Sequence, residues 1–227
     1  MTEFFFSPST ARATAPKLQR VFQADAAHTA FGKYTLFSFY GTTANGTMFP
    51  ISLGLVFGNE TKMSWSAFCK FTAKLHPTLN EPDVTIITDR CKGSIAAINE
   101  YFPIAFQFHC SYHRAANILL NCKGGKSKHS PHWLFRTLVN CGSVQSLNYM
   151  RDKYRTQLTA NQLKYLNASS DESQYPAARC AMGDNVFLYD HEASSGVESM
   201  NKANKPARDR AAVDVVNAII LLLQMER

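Results

Sequence analysis

The 227-residue chain predicts an α/β fold: a mixed five-stranded sheet flanked by helices, with a mostly helical insertion ahead of the last core helix. Three observations predict it. Three apolar, β-branched and aromatic runs lie close together before residue 58, with connections too short for anything but antiparallel pairing. Two amphipathic helical segments then alternate with two short strand-like runs, the spacing of crossover units that add parallel strands. Beyond Lys123-Gly124-Gly125-Lys126-Ser127-Lys128, a loop or hinge, the pattern turns helical.

Residues 1–18 carry Pro8, Pro16, Ser7, Ser9 and Thr10 without periodicity and are expected to form a flexible tail. Strands are expected over Arg20–Asp25, Tyr34–Thr43 and Met48–Phe57, with Asn45-Gly46 as the turn between the last two. Ser64 is placed to cap a helix in which Trp65, Phe68, Phe71/Thr72 and Leu75 share one face, and Pro77 stops it. Val84–Thr88 is short, apolar and β-branched, as a strand covered on both faces should be. Ser94 opens the next helix, whose stripe is Ile95, Ile98 and Phe102, before Pro103. A fifth strand fits Ala105–His109, and Arg114–Asn121 returns to helix. Three antiparallel strands followed by two β-α-β crossovers is the layout of the ribonuclease H-like fold. Crossover handedness sets the fourth strand beside the first, so Asp25 and Asp89, each closing a strand, come from neighbours.

In the insertion, Trp133, Leu134 and Leu138 predict one short helix. Ser143 caps a second with Leu147, Met150, Tyr154 and Leu158, and Thr159 starts a third through Leu166. Residues 169–193 are irregular. Glu198 then opens a helical stretch, interrupted at Pro206 and resumed over Ala207–Met225 with Ala211, Val215, Ile219 and Leu222/Leu223 as its stripe. The chain therefore divides into a tail (1–18), the first part of the core (19–122), the insertion (123–193) and the last core helix with a third acid (194–227).

A hydrophobic fraction of 45% with 12% aromatics excludes a disordered regulator. The six cysteines form no C-x-x-C pair and the first residues lack the features of a signal peptide, so reduced thiols in the cytosol or nucleus are expected. The apolar run Ala218–Leu223 falls far short of the ~20 residues that span a bilayer, and no membrane association is expected. The net charge of +7 is concentrated. Residues 114–165 hold nine basic side chains (Arg114, Lys123, Lys126, Lys128, Arg136, Arg151, Lys153, Arg155 and Lys164) against Asp152 alone. A polyanion such as double-stranded DNA is the natural partner of that segment, with a solvated helical face as the bland alternative. Aromatics beside these charges (Trp133, Phe135, Tyr154, Tyr165) are placed to lie against sugar or an unstacked base.

Asp25, Asp89 and Glu198 are the candidate catalytic residues and metal ligands. Two-metal cleavage of a phosphodiester needs two or three carboxylates converging on cations about 3.5–4 Å apart. A set of hard oxygen donors suits two Mg²⁺ or Mn²⁺ ions. Taken singly, each acid is more often structural. No G-x-S-x-G or G-x-x-x-x-G-K-[ST] is present, so a covalent nucleophile or a P-loop is not expected.

The chain resembles the Mutator-like element (MULE) transposase domain over about residues 20–205. The blocks that carry the resemblance are Asp25-Ala26-Ala27-His28, Phe49-Pro50, Ser64-Trp65, Thr88-Asp89-Arg90-Cys91-Lys92-Gly93, Cys110-Ser111-Tyr112-His113 and Ser195-Gly196-Val197-Glu198-Ser199-Met200-Asn201. Ala26 and Ala27 stand where the family has Gly and Thr. The resemblance implies a ribonuclease H-like DDE core with Asp25, Asp89 and Glu198 on the metals, and a role beside them for Cys110 and His113. His28 is expected to support the site. Cys110 and His113 also form a C-x-x-H step that, with Cys122 or His109, could bind zinc, although the zinc pattern is incomplete. Arg90 and Lys92, with Lys126, Lys128, Arg151 and Arg155, are the candidate DNA contacts.

The zinc-type DNA-binding module that full-length relatives carry before this core has no counterpart in the stretch before Asp25, so recognition of transposon ends is expected to come from elsewhere. Two function classes follow: a DNA strand-transferring nuclease, acting in the nucleus and able to work as a homo-oligomer, or a non-catalytic DNA-binding remnant, domesticated or decayed.

Overall fold

The computed structural model describes residues 3–29, 33–122, 125, 129–163, 175 and 199. Strands β1 (Glu3–Phe6), β2 (Val21–His28), β3 (Tyr34–Thr42), β4 (Met48–Phe57), β5 (Thr85–Thr88) and β6 (Phe106–His109) form one mixed sheet in the order β1-β4-β3-β2-β5-β6. The first four pair antiparallel, and β5 and β6 join β2 in parallel. Helices α2 (Lys62–Leu75) and α3 (Lys92–Tyr101) follow β4 and β5, and α4 (Ser111–Asn121), α5 (Pro131–Val139) and α6 (Val144–Arg155) follow β6. A one-turn helix, α1 (Ala11–Thr14), precedes β2.

The sheet has six strands where the sequence predicts five, because residues 3–18 are part of the fold. Pro and Ser at positions 7–9 read as a tail, but Phe4, Phe5 and Phe6 make β1, and Phe5 lies opposite Gly54 of β4. A Cβ at Gly54 would sit 2.8 Å from the Phe5 ring and 3.0 Å from Phe68, so the missing side chain is what admits the strand. Phe5 also stacks on Phe71 at 5.4 Å. Ala11, Ala15 and Leu18 are buried behind it.

The largest core lies on one face of the sheet. Phe22, Ala24, Phe37, Phe39 and Ile51 meet Trp65, Phe68 and Cys69 of α2 and Ala97, Ile98 and Phe102 around α3. On the other face, Leu36, Tyr40, Leu53 and Leu55 form one apolar group and Val21, Ile87, Phe108 and Cys110 another. Between them run Gln23 and Asp25 of β2 and Ser38 of β3. A fourth cluster joins α4, α5 and α6 through Ile118, Leu134, Leu138 and Leu147.

Two expected caps shift. Thr61, not Ser64, caps α2: its hydroxyl accepts from the Ser64 N–H (3.1 Å) while the Ser64 hydroxyl accepts from the Thr61 N–H (2.8 Å). Cys91, not Ser94, holds the N-cap position of α3, and the Ser94 hydroxyl donates back to the Cys91 carbonyl (2.9 Å). In the insertion the Ser143 cap is present, paired with Ser146. The Thr159 hydroxyl accepts from the Gln162 N–H at the start of the third helical segment, described as far as residue 163. Glu198, Lys126, Lys128 and the stretch 207–225 lie outside the described residues.

Arg20 ties together the amino ends of the two strands that carry Asp25 and Asp89. Its carbonyl accepts from the Thr85 N–H (2.8 Å), and its guanidinium bonds Asp83 (2.9 Å) and Glu81. The Arg20 hydrogen bond holds the Asp83 carboxyl below the ordinary carboxylate range. Asp83 and Glu81 are 43% and 47% exposed, so Arg20→Gln is expected to lower Tm by only a few degrees at pH 7. A depressed folded pKa contributes stability that is complete above the unfolded value, about 3.9, and lost as pH falls through the folded one. The Tm gap between parent and variant should therefore close below about pH 4. A gap that persists in full at pH 3 would assign the effect to packing.

Candidate active site

The ladder between β2 and β5 pairs Val21 with Thr85, Phe22 with Ile86 and Gln23 with Ile87. Carried two residues further, the same register sets Asp25 beside Asp89. On the far side, β5 pairs Thr88 with His109, so the next position sets Asp89 beside Cys110. On the near side Asp25 pairs with Ser38, whose hydroxyl donates to the Asp25 carbonyl (3.4 Å). Side chains alternate along a strand. Asp25 thus shares a face with Val21 and Gln23, opposite α2 and α3, while Asp89 stands just past the end of β5, where its carboxylate turns to the start of α3.

Neighbouring strands lie about 4.8 Å apart, which is the reach of two carboxylates sharing ions. The β2–β5 ladder stops at Gln23 and Ile87, two positions short of the acids. Both acids therefore stand where the sheet opens, half-buried, at the seam between its antiparallel and parallel halves. In open α/β sheets that carboxyl edge is where ligands bind.

The Asp89 side chain is held from one side. Its Oδ1 accepts from the Cys91 N–H (3.1 Å) and lies 3.2 Å from the Ser94 hydroxyl, which shares its hydrogen between this carboxylate and the Cys91 carbonyl (2.9 Å). Ser94 is the site residue that sequence reading missed. Its place near the start of a helical pattern made it look like a cap, and only the turn between β5 and α3 aims it at Asp89.

The same edge collects helix N-termini. β4 runs parallel to β2, since both are antiparallel to β3. The helices that follow β4, β5 and β6 all begin at the edge where Asp25 and Asp89 stand. Their unpaired N–H groups and dipoles favour anions there. Lys62 and Lys92 occupy the first positions of α2 and α3 and are exposed, and Arg90 is half-buried in the turn after Asp89.

The remaining expected residues are dispersed. His28 lies three positions beyond Asp25, hence on the opposite strand face; it is exposed, with Nδ1 3.3 Å from the Thr35 hydroxyl. Cys110 is fully buried among Val21, Ile87 and Phe108, and its N–H donates to the Thr88 carbonyl (2.7 Å). His113 is half-buried on α4 against Tyr112. Among the described residues no three of His, Cys, Asp and Glu are grouped closely enough to hold a metal ion.

Two corrections concern the basic segment. Arg114 is not a surface charge: it is fully buried, with its guanidinium 4.8 Å from the Phe135 ring and 5.2 Å from Tyr175, and burial lowers its pKa. Sequence could not reveal this, because a basic residue after C-x-x-H reads the same buried or exposed. Phe135 and Tyr154 are core residues, and Trp133 packs against His129 and Tyr154. Among the described residues of the segment the exposed aromatic is Tyr149 of α6, 62% accessible, with Lys153 over its ring at 5.6 Å, and Tyr165 lies outside the described residues. Arg151 and Arg155 lie on the same helix, half-buried and exposed respectively.

Residues 22–117 match the family model of the MULE transposase domain. This segment is a MULE transposase domain. It begins in β2 and ends within α4, so both strand acids, the Asp89 turn and the Cys110/His113 step fall inside it, while α5 and α6 lie beyond. The chain is also 37% identical over 82 residues to the PKS-NRPS hybrid synthetase cheA of Chaetomium globosum. That stretch covers 36% of this chain and only 2% of the synthetase. Among the described residues no helix is long and apolar enough to cross a membrane.

Proposed function

We propose that the MULE transposase domain of this chain is a DDE-type catalytic core of ribonuclease H-like fold, which cuts and joins DNA strands by two-metal phosphodiester chemistry. The observation that carries the reading is the common register of Asp25 and Asp89 at the open carboxyl edge of β2 and β5. Strand order supports it as well, since within the six-stranded sheet β4, β3 and β2 are antiparallel and β5 and β6 extend them in parallel, the layout that such a core requires.

Asp25 and Asp89 fit divalent cations: both are half-buried hard oxygen donors one strand apart. Glu198 would be the third ligand, and Mg²⁺ or Mn²⁺ the ion. Bound there, a pair of ions would activate the attacking water or 3′-hydroxyl and stabilise the leaving oxygen. The chain's own residues do the rest. The Cys91 N–H and the Ser94 hydroxyl hold the Asp89 carboxylate in one orientation. Lys62, Arg90, Lys92 and the three helix N-termini draw the phosphate backbone to the acids. Arg151 and Arg155, with Lys126 and Lys128, extend that contact along the duplex. Joining of two transposon ends to a target would call for a homo-oligomer.

The test is nicking of nonspecific supercoiled duplex DNA. The chain should nick it with Mg²⁺ and lose that activity on chelation. Tight DNA binding without nicking at any Mg²⁺ or Mn²⁺ concentration would move the reading to a DNA-binding remnant.

A further inference from the structure

The sheet face that carries Asp25 also carries an exposed aromatic pair. Tyr34 of β3 lies opposite Phe57 of β4, and their rings meet edge to face at 5.4 Å. Tyr34 packs against the apolar group of Leu36, Tyr40, Leu53 and Leu55, whereas Phe57 is 56% exposed. The backbone fixes the pair in place. The Gly58 N–H donates to the Lys33 carbonyl (2.7 Å), and the Gly58 carbonyl accepts from the Thr35 hydroxyl (2.7 Å). Gly58 takes φ +100°, which L side chains rarely adopt. The turn after Phe57 is thus clamped to the start of β3, and the rings are held ready in water.

Strand β2 leaves a way open from the acid to these rings. It is buried over Val21–Ala24 and half-buried at Asp25, Ala26 and Ala27. Ala27, opposite Leu36, is the next side chain after Asp25 on this face, and a methyl group raises no wall. Two positions further, the Thr29 N–H donates to the Tyr34 carbonyl (2.9 Å). Tyr34 therefore stands about 13 Å along the strand from Asp25, at ~3.3 Å per residue. A stacked DNA strand covers that span in about four nucleotides. Lys33 and Lys62, either side of the pair in sequence, are both exposed. Glu60, the acid nearest to Phe57 in sequence, is committed to the core, where its Oε1 accepts from Nε1–H of the buried Trp65 (2.7 Å). Flat rings between cations suit a base and its phosphate, and a second copy of this +7 chain would be repelled.

We propose that Tyr34 and Phe57 form a stacking platform for an unpaired nucleotide, about four positions along the DNA strand from the phosphate held at Asp25. The inference rests on the reading of Asp25 as part of a DNA-cutting site. Bases inside a duplex are covered on both faces, so a frayed, flipped or single-stranded base is what the platform takes.

The test uses the full chain without divalent metal, so that no strand is cut, and two probes: a blunt duplex and a duplex with a short single-stranded extension. 2-Aminopurine is placed at each position of the extension in turn. The parent should prefer the extended probe and quench 2-aminopurine at one position. Phe57→Ala should abolish the quench and weaken the extended probe by at least about fivefold, leaving the blunt duplex within about twofold. Phe57→Trp keeps a ring and should restore both readouts. Phe57→Leu keeps apolar bulk without a π face and should behave as alanine does, which covers the case in which Phe57→Ala does not fold. Parent-like quench and affinity in the Ala and Leu variants overturn the proposal, as does an equal loss on both probes. A dimer of the parent that is lost in Phe57→Ala, seen by sedimentation, also overturns it by assigning the pair to self-association. A parent that nicks DNA with Mg²⁺ but shows no quench loses the platform and keeps the catalytic reading. A quench that Phe57→Ala removes, in a chain that never nicks, keeps the platform and overturns the catalytic reading.

Discussion

Asp89→Asn is expected to abolish most of the Tm rise that Mn²⁺ or Mg²⁺ gives the parent, and to cut Mg²⁺-dependent nicking by at least roughly 10²–10³-fold. The rate loss follows from the several kcal/mol that bound metal contributes to a phosphoryl transition state, at 1.36 kcal/mol per tenfold. The Tm effect follows from linkage, because an ion that binds only the folded chain stabilises it in proportion to its occupancy. Two carboxylates one strand apart repel when no cation is bound. The variant without metal should therefore melt no lower than the parent without metal. Asn also keeps an oxygen able to accept from the Cys91 N–H and the Ser94 hydroxyl, so the turn should survive. A lower Tm in the absence of metal would mean a damaged fold. An equal Mn²⁺ shift in parent and variant would mean that the ion binds elsewhere. Asp25→Asn should behave in the same way.

Replacing Lys126, Lys128, Arg151 and Arg155 with Gln should weaken binding to duplex DNA at low salt and flatten its salt dependence. Each phosphate contact that releases a condensed counterion adds about 0.9 to the slope of log K against log salt. The quadruple variant should therefore lose about 1 per contact made, or as much as roughly 3–4 in all. Arg155 is exposed and Arg151 half-buried on α6, so Tm should move little. Arg114 is left out of the set, because it is buried between Phe135 and Tyr175 and its loss would be felt in the fold. The measurement is a fluorescence anisotropy titration over a salt series. Parent affinity and slope in the variant would reduce the segment to a solvated face.

Much of the fold was legible because local chemistry repeats at the period of each element. The alternation in Met48–Phe57, the β-branched run in Thr85–Thr88 and the one-sided stripe of Trp65, Phe68 and Thr72 each depend on residues a few positions apart. Crossover handedness then set β5 beside β2 without coordinates, because a right-handed connection returns the chain to that edge of the sheet. β1 was missed for the converse reason. Phe4-Phe5-Phe6 is too short to show a period, and the space for it exists only because Gly54, far along the chain, has no side chain.

The sequence by itself determined which residues carry charge and oxygen, where helices can begin, and that β2 and β5 are neighbours, although Asp25 lies within β2, which runs on to His28, rather than at its end. Those properties are set by residue type and near-neighbour spacing. Tertiary structure alone decided that Ser94 lies near Asp89, that Glu60 is anchored to a buried tryptophan, that Cys110 is buried and that Arg114 is enclosed by two rings. Each of these depends on where side chains from separate elements meet and on what is taken out of water, and a charged or polar residue carries no mark in the sequence of the side to which it will be turned.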